Sequence, residues 1–211
     1  MNNIQYDHIE NYINKTHKKE EEFFTNLREY AEREHIYIVK PQVERLLSVL
    51  LSVIKPEKIL EVGTAIGYSA MLMLKYAGDN SHITTIERDD TVLSMAQQNV
   101  RARGVSDRVR FIFGDASEVL ESLTGTYDFI FLDAAKGQYE DHFNKCLALI
   151  KPGGVILTDD VLYFGMTASD EFLAKKHDTI TKKLRIYLDF LCNDERFETN
   201  ILPIGDGVAI T

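Results

Sequence analysis

Acidic residues recur at particular places along this 211-residue chain, and their spacing is the first sign of chemistry. Glu61, Glu87, Asp133 and the pair Asp159-Asp160 each close a short run of β-forming residues, and Asp115 follows a fifth run at one residue's remove. Any one of them alone reads as a helix N-cap, where Asp is strongly favoured. Gathered at the carboxyl edge of one sheet, where open α/β sheets bind their ligands, they repel one another. The set therefore points to a ligand that brings positive charge and hydrogen-bond donors. Between the first two acids lies Glu61-Val62-Gly63-Thr64-Ala65-Ile66-Gly67-Tyr68-Ser69. Its glycines permit a tight turn and close backbone approach, and Gly67 opens a helix whose N-terminus attracts a carboxylate.

For these acids to meet, the strands that carry them must lie side by side. Runs at Lys58–Val62, His82–Glu87 and residues 109–114, 127–133 and 154–158 alternate with helical patterns at Tyr68–Ala77, Asp90–Arg103 and residues 117–123 and 139–150. Such alternation, with nearly continuous apolar strands, predicts a parallel sheet covered on both faces. A longer helix is expected over 169–193. Two short apolar runs at 200–204 and 208–211 follow, joined by Gly205-Asp206-Gly207, a hairpin signal. The expected fold is α/β and Rossmann-like, a mostly parallel sheet that finishes in an antiparallel hairpin. Ahead of it, residues 4–33 read as an amphipathic helix pair with Phe23, Phe24, Leu27 and Tyr30 on its apolar stripe. Left uncovered, that stripe would expose four large side chains. Lys18-Lys19-Glu20-Glu21-Glu22 reads as a solvated face. Pro41 opens a third helix over 42–54. We read one domain over 1–211, with helices in 1–54 and the core in 57–211.

Composition narrows the setting. Hydrophobic residues at 45% and charged residues at 27% are ordinary for a globular domain. A net charge of −9 and a pI near 5.2 argue against wrapping nucleic acid by charge alone. Cys146 and Cys192 both fall in helical stretches and read as reduced, buried thiols. His142 and His177 read as surface residues of helices. No apolar run approaches the roughly 20 residues needed to cross a bilayer. A cytoplasmic protein without membrane attachment is expected.

Glu87 ends the second strand 24 residues after Gly63, where an acid accepts both hydroxyls of a ribose. Asp115 suits an adenine amino group. A dinucleotide site would show Gly-x-Gly-x-x-Gly, and its pyrophosphate would compete with Glu61. Ribose, adenine and an amino-acid carboxylate without a phosphate clamp describe S-adenosylmethionine. At this point the chain resembles a known family. Glu-Val-Gly-Thr-Ala-Ile-Gly-Tyr-Ser-Ala, Thr-Ile-Glu-Arg, Gly-Asp-Ala, Leu-Asp-Ala-Ala-Lys-Gly-Gln-Tyr, Pro-Gly-Gly-Val-Ile-Leu-Thr-Asp-Asp-Val-Leu and the terminal Gly-Asp-Gly-Val-Ala-Ile are similar to motifs of the cation-dependent O-methyltransferases, which include catechol and caffeoyl-CoA enzymes. The likeness runs from about Ile36 to Thr211. The nearest resemblance is to the bacterial branch that methylates 5-hydroxyuridine at the wobble position of transfer RNA.

The resemblance implies a seven-stranded methyltransferase sheet. It implies a cofactor held by Ile38, Val39, Glu61, Gly63, Gly67, Tyr68, Ser69, Glu87, Asp115, Ala116 and Asp133. It also implies metal ligands at Asp133, Asp159 and Asp160, Lys136 as base, and a homodimer. Chemistry runs parallel: three side-chain oxygens suit a hard cation such as Mg²⁺ (or Mn²⁺ or Ca²⁺), which makes a bound hydroxyl more acidic. Lys136, three residues past Asp133, is placed to take the proton or steady the oxyanion. The family usually has Asn where this chain has Asp160, so the site gains a negative charge. Two acceptors follow, the transfer RNA anticodon loop or a small catechol-like molecule. A 5-hydroxyuracil presents its hydroxyl and 4-carbonyl much as a catechol presents its two oxygens. Lys175, Lys176, Lys182, Lys183 and Arg185 in the 169–193 stretch are the cations expected to meet RNA phosphates. A third reading, a nucleoside-binding regulator, leaves Asp133, Asp159, Asp160 and Lys136 without a task.

Overall fold

The computed structural model describes residues 4–211, so the first three residues of the 1–211 reading lie outside the described residues. Two helices open the chain, α1 (Asp7–Thr16) and α2 (Glu22–Arg33), and α3 (Pro41–Ile54) follows with Pro41 in its first turn. The core then alternates β1 (Lys58–Val62), α4 (Tyr68–Ala77), β2 (His82–Glu87), α5 (Asp90–Arg103), β3 (Val109–Phe113), α6 (Ala116–Ser122), β4 (Tyr127–Leu132), α7 (Tyr139–Leu147), β5 (Ile150–Thr158), α8 (Asp178–Asn193), β6 (Asn200–Leu202) and β7 (Val208–Ile210). One seven-stranded sheet results, in the order β3-β2-β1-β4-β5-β7-β6. The first five strands pair in parallel; β7 runs antiparallel to both β5 and β6. The expected parallel sheet with a terminal hairpin is what forms.

Local chemistry sets the boundaries. Asp89 caps α5 by accepting from Thr91 N and Val92 N, and Gly104 at φ 76° ends it in a left-handed turn. Chain connectivity changes direction between β1 and β4, and that switch point opens a crevice at the carboxyl edge. Phe129, Phe131, Ile59 and Leu60 are fully buried at its base.

Four expectations need correction. First, the helix over 169–193 begins only at Asp178, after single turns at Asp170–Phe172 and Lys175–His177. The Ser169 side chain caps one turn through Glu171 N, and Arg185 on α8 draws the segment back by pairing with Asp170 at 2.7 Å. Second, β5 starts at Ile150 rather than 154, and α7 stops at Leu147, because Leu149 O already accepts from Tyr127 N in the sheet edge. Third, the Lys18–Glu22 run is exposed at Lys18, Lys19, Glu21 and Glu22 as expected, but Glu20 is half-buried and two of its acids are paired. Glu20 bridges Arg45 (2.5 Å) and Lys75 (2.7 Å), and Glu21 meets Arg103 at 2.7 Å, so opposite charges on α3, α4 and α5 tie it down. Fourth, Cys192 is exposed while only Cys146 is buried.

The apolar stripe of α2 is covered by its own chain. Phe24 is fully buried, its ring edge-on to Tyr68 with centroids 5.4 Å apart, and Leu27 is also buried. The stripe therefore gives no argument for a dimer. Glu44 of α3 anchors the same corner: its Oε2 accepts from Arg28 of α2 (2.6 Å) and from the Tyr68 hydroxyl (2.7 Å). Phe24→Ala should cost about 3–5 kcal/mol of stability, the range for deleting a buried ring. Denaturant unfolding that shows a loss under about 1 kcal/mol would mean the α2 corner carries little of the core.

Candidate active site

The strand ladders continue one residue past their ends and set the acids on the rim. Asp133 N donates to Val62 O (2.9 Å), and Asp159 N donates to Leu132 O (3.0 Å). Across the switch point the two sides touch. Gly63 adopts φ 105°, and a Cβ built there would lie 2.0 Å from Asp133 O. Only glycine lets this turn close.

Two neighbouring cavities share Gly63, Glu87 and Ala134. The larger, about 530 Å³, is lined by the expected Ile38, Val39, Gly63, Tyr68, Ser69, Glu87, Asp133, Lys136, Asp159 and Asp160. The smaller, about 270 Å³, contains the expected Asp115 and Ala116. Glu61 and Gly67 lie behind these walls. Gly67 caps α4 at φ 79° and packs on Ala96, so it shapes the turn from outside. Glu61 is fully buried beneath the turn.

Electrostatics suits a cationic or donor-rich occupant. Burial pushes the Glu61 carboxyl up to about 8, against hydrogen bonding from Ser69 and Thr85 and with repulsion from Asp133 and Glu87. Its Oε2 accepts from Thr85 Oγ1 at 2.5 Å, while its Oε1 has no partner among the described residues. An orphaned buried carboxylate oxygen under a glycine cradle fits the ammonium end of S-adenosylmethionine. Glu87 does more than was expected of it. It accepts from Ala65 N (3.0 Å), Arg88 N (2.8 Å) and Asp89 N (3.0 Å), so the same carboxylate pins the turn to the end of β2. Asp115 caps α6 through Ser117 N (2.9 Å) as well as bordering the smaller cavity.

The three acids assigned to metal share one corner. Burial raises Asp133 and Asp159 above the usual carboxylate range, and Asp160 raises both further. Asp159 Oδ1 accepts from Asp160 N (2.7 Å), and Asp160 Oδ2 pairs with Lys136 Nζ at 2.8 Å. Burial lowers the Lys136 amine, but Asp160 and Asp133 outweigh it and hold the amine above its ordinary value. Among the described residues no group of three or more His, Cys, Asp or Glu side chains converges tightly enough to cage an ion. The donor chemistry fits a hard divalent cation; the side chains are turned instead to Lys136 and to one another.

Several pocket residues escaped the sequence reading. Tyr37, Lys40, Tyr163, Phe164, His177 and Asp206 all line the larger cavity. His177 is half-buried just ahead of α8, its Nδ1 2.7 Å from the Tyr163 hydroxyl. His142 is no surface residue: it is 1% exposed and borders the smaller cavity, its Nε2 3.1 Å from Ser117 Oγ. The Phe23-to-Tyr30 type of apolar periodicity had no counterpart here, since these residues converge only through tertiary contacts. The cations expected to meet RNA are largely engaged. Lys182 pairs with Asp178, Lys183 donates to Gly137 O, and Arg185 donates to the carbonyls of Met166 and Thr167.

This sheet order, with a glycine turn after β1 and acids at the ends of β1, β2 and β4, defines the class I S-adenosylmethionine methyltransferases. The chain belongs to the O-methyltransferase family, whose model matches residues 14–211. It is 30% identical to a caffeoyl-CoA O-methyltransferase of Stellaria longipes, across 98% of this chain and 90% of that one. A candidate caffeoyl-CoA O-methyltransferase from Staphylococcus aureus superposes with a TM-score of 0.89 at 35% identity, covering 97% of this chain and 98% of that one. An SAH-bound methyltransferase of Podospora anserina gives a TM-score of 0.89 at 25% identity, over 100% and 95% of the two chains. No helix among the described residues is long and apolar enough to cross a membrane.

Proposed function

We propose that this chain, acting as a single domain, transfers a methyl group from S-adenosylmethionine to one hydroxyl of a small catechol-like acceptor of the caffeoyl-CoA type. The observation that carries this reading is the larger cavity, where the cofactor turn, the acid corner and the aromatic side chains of Tyr37, Tyr163 and Phe164 border one space. The names of the relatives favour the same acceptor class. The alternative, 5-hydroxyuridine at the transfer RNA wobble position, is not favoured by those names, and Lys182, Lys183 and Arg185 each already hold a partner, although Lys175, Lys176, Lys182 and Lys183 are all exposed.

In this reading Glu61 and the Gly63–Ser69 turn hold the amino-acid end of the cofactor, Glu87 the ribose, and Asp115 with Ala116 the adenine. Ile38 and Val39 close the cavity from above, with Val39 almost fully buried. Asp133, Asp159 and Asp160 would hold Mg²⁺ (or Mn²⁺ or Ca²⁺), which supplies Lewis acidity that makes the acceptor hydroxyl easier to ionise. Lys136 Nζ, held in its charged form by Asp160 and Asp133, steadies the developing oxyanion while the hydroxyl proton leaves to solvent; to serve as base, as the resemblance implies, it must first give up its own proton. Tyr139 fixes the acid corner from below by donating its hydroxyl to Asp159 O (2.9 Å). Fixed walls line up the oxygen with the methyl carbon, and such alignment supplies much of the rate of a displacement. The resemblance also implies a homodimer, for which exposed Val49 and Val53 on α3 offer apolar surface. Light scattering that returns one 24.1 kDa chain at micromolar concentration would count against it.

The deciding experiment offers labelled S-adenosylmethionine with catechol acids, caffeoyl-CoA, and hydroxylated and unmodified transfer RNA in parallel. The expected product is a methylated small acceptor. Transfer to hydroxylated RNA alone would overturn the acceptor class and leave the reaction type standing.

Glu87→Ala should weaken cofactor binding by roughly 1.5–3 kcal/mol, the range for charge-assisted hydrogen bonds. Calorimetry returning an unchanged dissociation constant would remove Glu87 from the cofactor site.

A further inference from the structure

The loop after β5 reaches the cavity through backbone that L-residues rarely adopt. Asp160, Tyr163 and Phe164 have φ of 58°, 45° and 57°, and Gly165 follows at 81°. Left-handed backbone at three non-glycine residues persists only where the surroundings hold it. Here the terminal hairpin turn is the holder. Val161 N donates to Gly207 O (2.9 Å), Leu162 N to Asp206 O (2.9 Å), and Phe164 N to the Asp206 carboxylate Oδ1 (2.7 Å). The first two bonds use main chain that any residue would supply. The third needs a side-chain acceptor at position 206.

The turn is itself anchored. Gly205 N donates to Gln42 Oε1 (3.0 Å) on α3, and a Cβ at Gly207 would lie 2.3 Å from the Leu162 side chain. Asp206 is 3% exposed, whereas the Phe164 ring it governs is 54% exposed on the cavity wall. On the far side of that ring's neighbour, the Tyr163 hydroxyl meets His177 Nδ1. A large apolar ring more than half exposed on the cavity wall, packed against Tyr163 with centroids 5.4 Å apart and carried on a strained backbone fixed at both ends, is arranged to meet a ligand rather than to fill a core.

We infer that Asp206 is a positioning residue for the acceptor: its carboxylate fixes the backbone at Phe164, so that the ring forms a rigid wall against which a planar acceptor lies. This rests on the methyltransferase reading, with 3,4-dihydroxybenzoate and caffeoyl-CoA as probes.

Asp206→Ala should raise the acceptor KM about tenfold, equivalent to losing one hydrogen bond. Its kcat should stay within about threefold, and calorimetry should find S-adenosylmethionine binding unchanged. Asp206→Asn keeps the Oδ1 acceptor and should restore KM to within about threefold of wild type. Independently of turnover, hydrogen exchange at the Phe164 amide should quicken about tenfold in Asp206→Ala and stay slow in Asp206→Asn. Phe164→Gly, at ease in this backbone but without the ring, should raise KM similarly, and adding Asp206→Ala to it should change nothing more. Should Asp206→Ala fail to fold, Asp206→Ser takes its place, its hydroxyl being too short to span the gap. A wild-type KM in the alanine variant, an asparagine variant as impaired as alanine, or additive effects with Phe164→Gly would each overturn the inference. Wild-type protein that methylates neither probe overturns the parent reading and this inference with it. Wild-type turnover beside an unchanged alanine variant overturns this inference alone.

Discussion

Lys136→Met should lower kcat by about 10²–10⁴-fold, the usual contribution of a positioned proton-transfer group. Among the described residues the amine is the only cation paired with Asp160, and it stands on the cavity wall with Asp133. Its acidic neighbours hold its pKa up, so in the structure as it stands the amine carries its proton and serves as a charge for the oxyanion. That charge is lost only as pH climbs through the raised pKa, so the wild-type contribution is present throughout the neutral range. Activity remaining in Lys136→Met should rise roughly tenfold per pH unit until the acceptor hydroxyl ionises by itself, because bulk hydroxide then does the work of the amine. Lys136→Arg separates the two roles. Substantial activity in the arginine variant assigns Lys136 to charge, and an arginine variant as slow as methionine assigns it to proton transfer. A methionine variant with kcat within about twofold of wild type would take Lys136 out of the mechanism.

Asp133→Ala should abolish turnover, with a loss of at least about 10²–10³-fold, as when one preorganised electrostatic contact is removed. Asp133 lies where the two halves of the site meet, hydrogen-bonded through its backbone to β1 and carrying its carboxylate among Asp159, Asp160 and Lys136. Chelation by EDTA should produce the same loss and be reversed by added Mg²⁺. S-adenosylmethionine binding, read by calorimetry, should survive both treatments, since the acids that face the cofactor are mostly different ones. Full turnover in chelator would sink the metal assignment. An alanine variant near wild-type turnover would mean the acid corner has been misread altogether.

How much of this was legible in the sequence follows the range of the forces involved. Strands β1 and β2 and helices α4 and α5 match to the residue, since each is fixed by local periodicity and a nearby cap or glycine. The acids at strand ends were equally visible, being a local pattern repeated five times. What depended on distant parts of the chain was not. Helix-favouring residues at 169–177 give no hint that Arg185 reaches back to Asp170 and to the Met166 and Thr167 carbonyls. The charged run at 18–22 is largely solvated, as its sequence suggests, but nothing in it announces that Glu20 and Glu21 will meet Arg45, Lys75 and Arg103 of α3, α4 and α5. Asp206 looked like turn chemistry, and it is, but its carboxylate also serves a loop more than forty residues earlier.

Three helices meet on one oxygen. Glu44 Oε2 belongs to α3, accepts from Arg28 of α2, and holds the hydroxyl of Tyr68, the first residue of α4 and part of the cavity wall. The N-terminal helices are thus a brace whose loads run straight into the cofactor turn. Anyone trimming or grafting that end would be retuning the binding site from behind, and a thermal-stability gain bought there would register as altered cofactor affinity. On the proposed reading, selection on either property would carry the other along, because both lean on one carboxylate oxygen that already holds two donors.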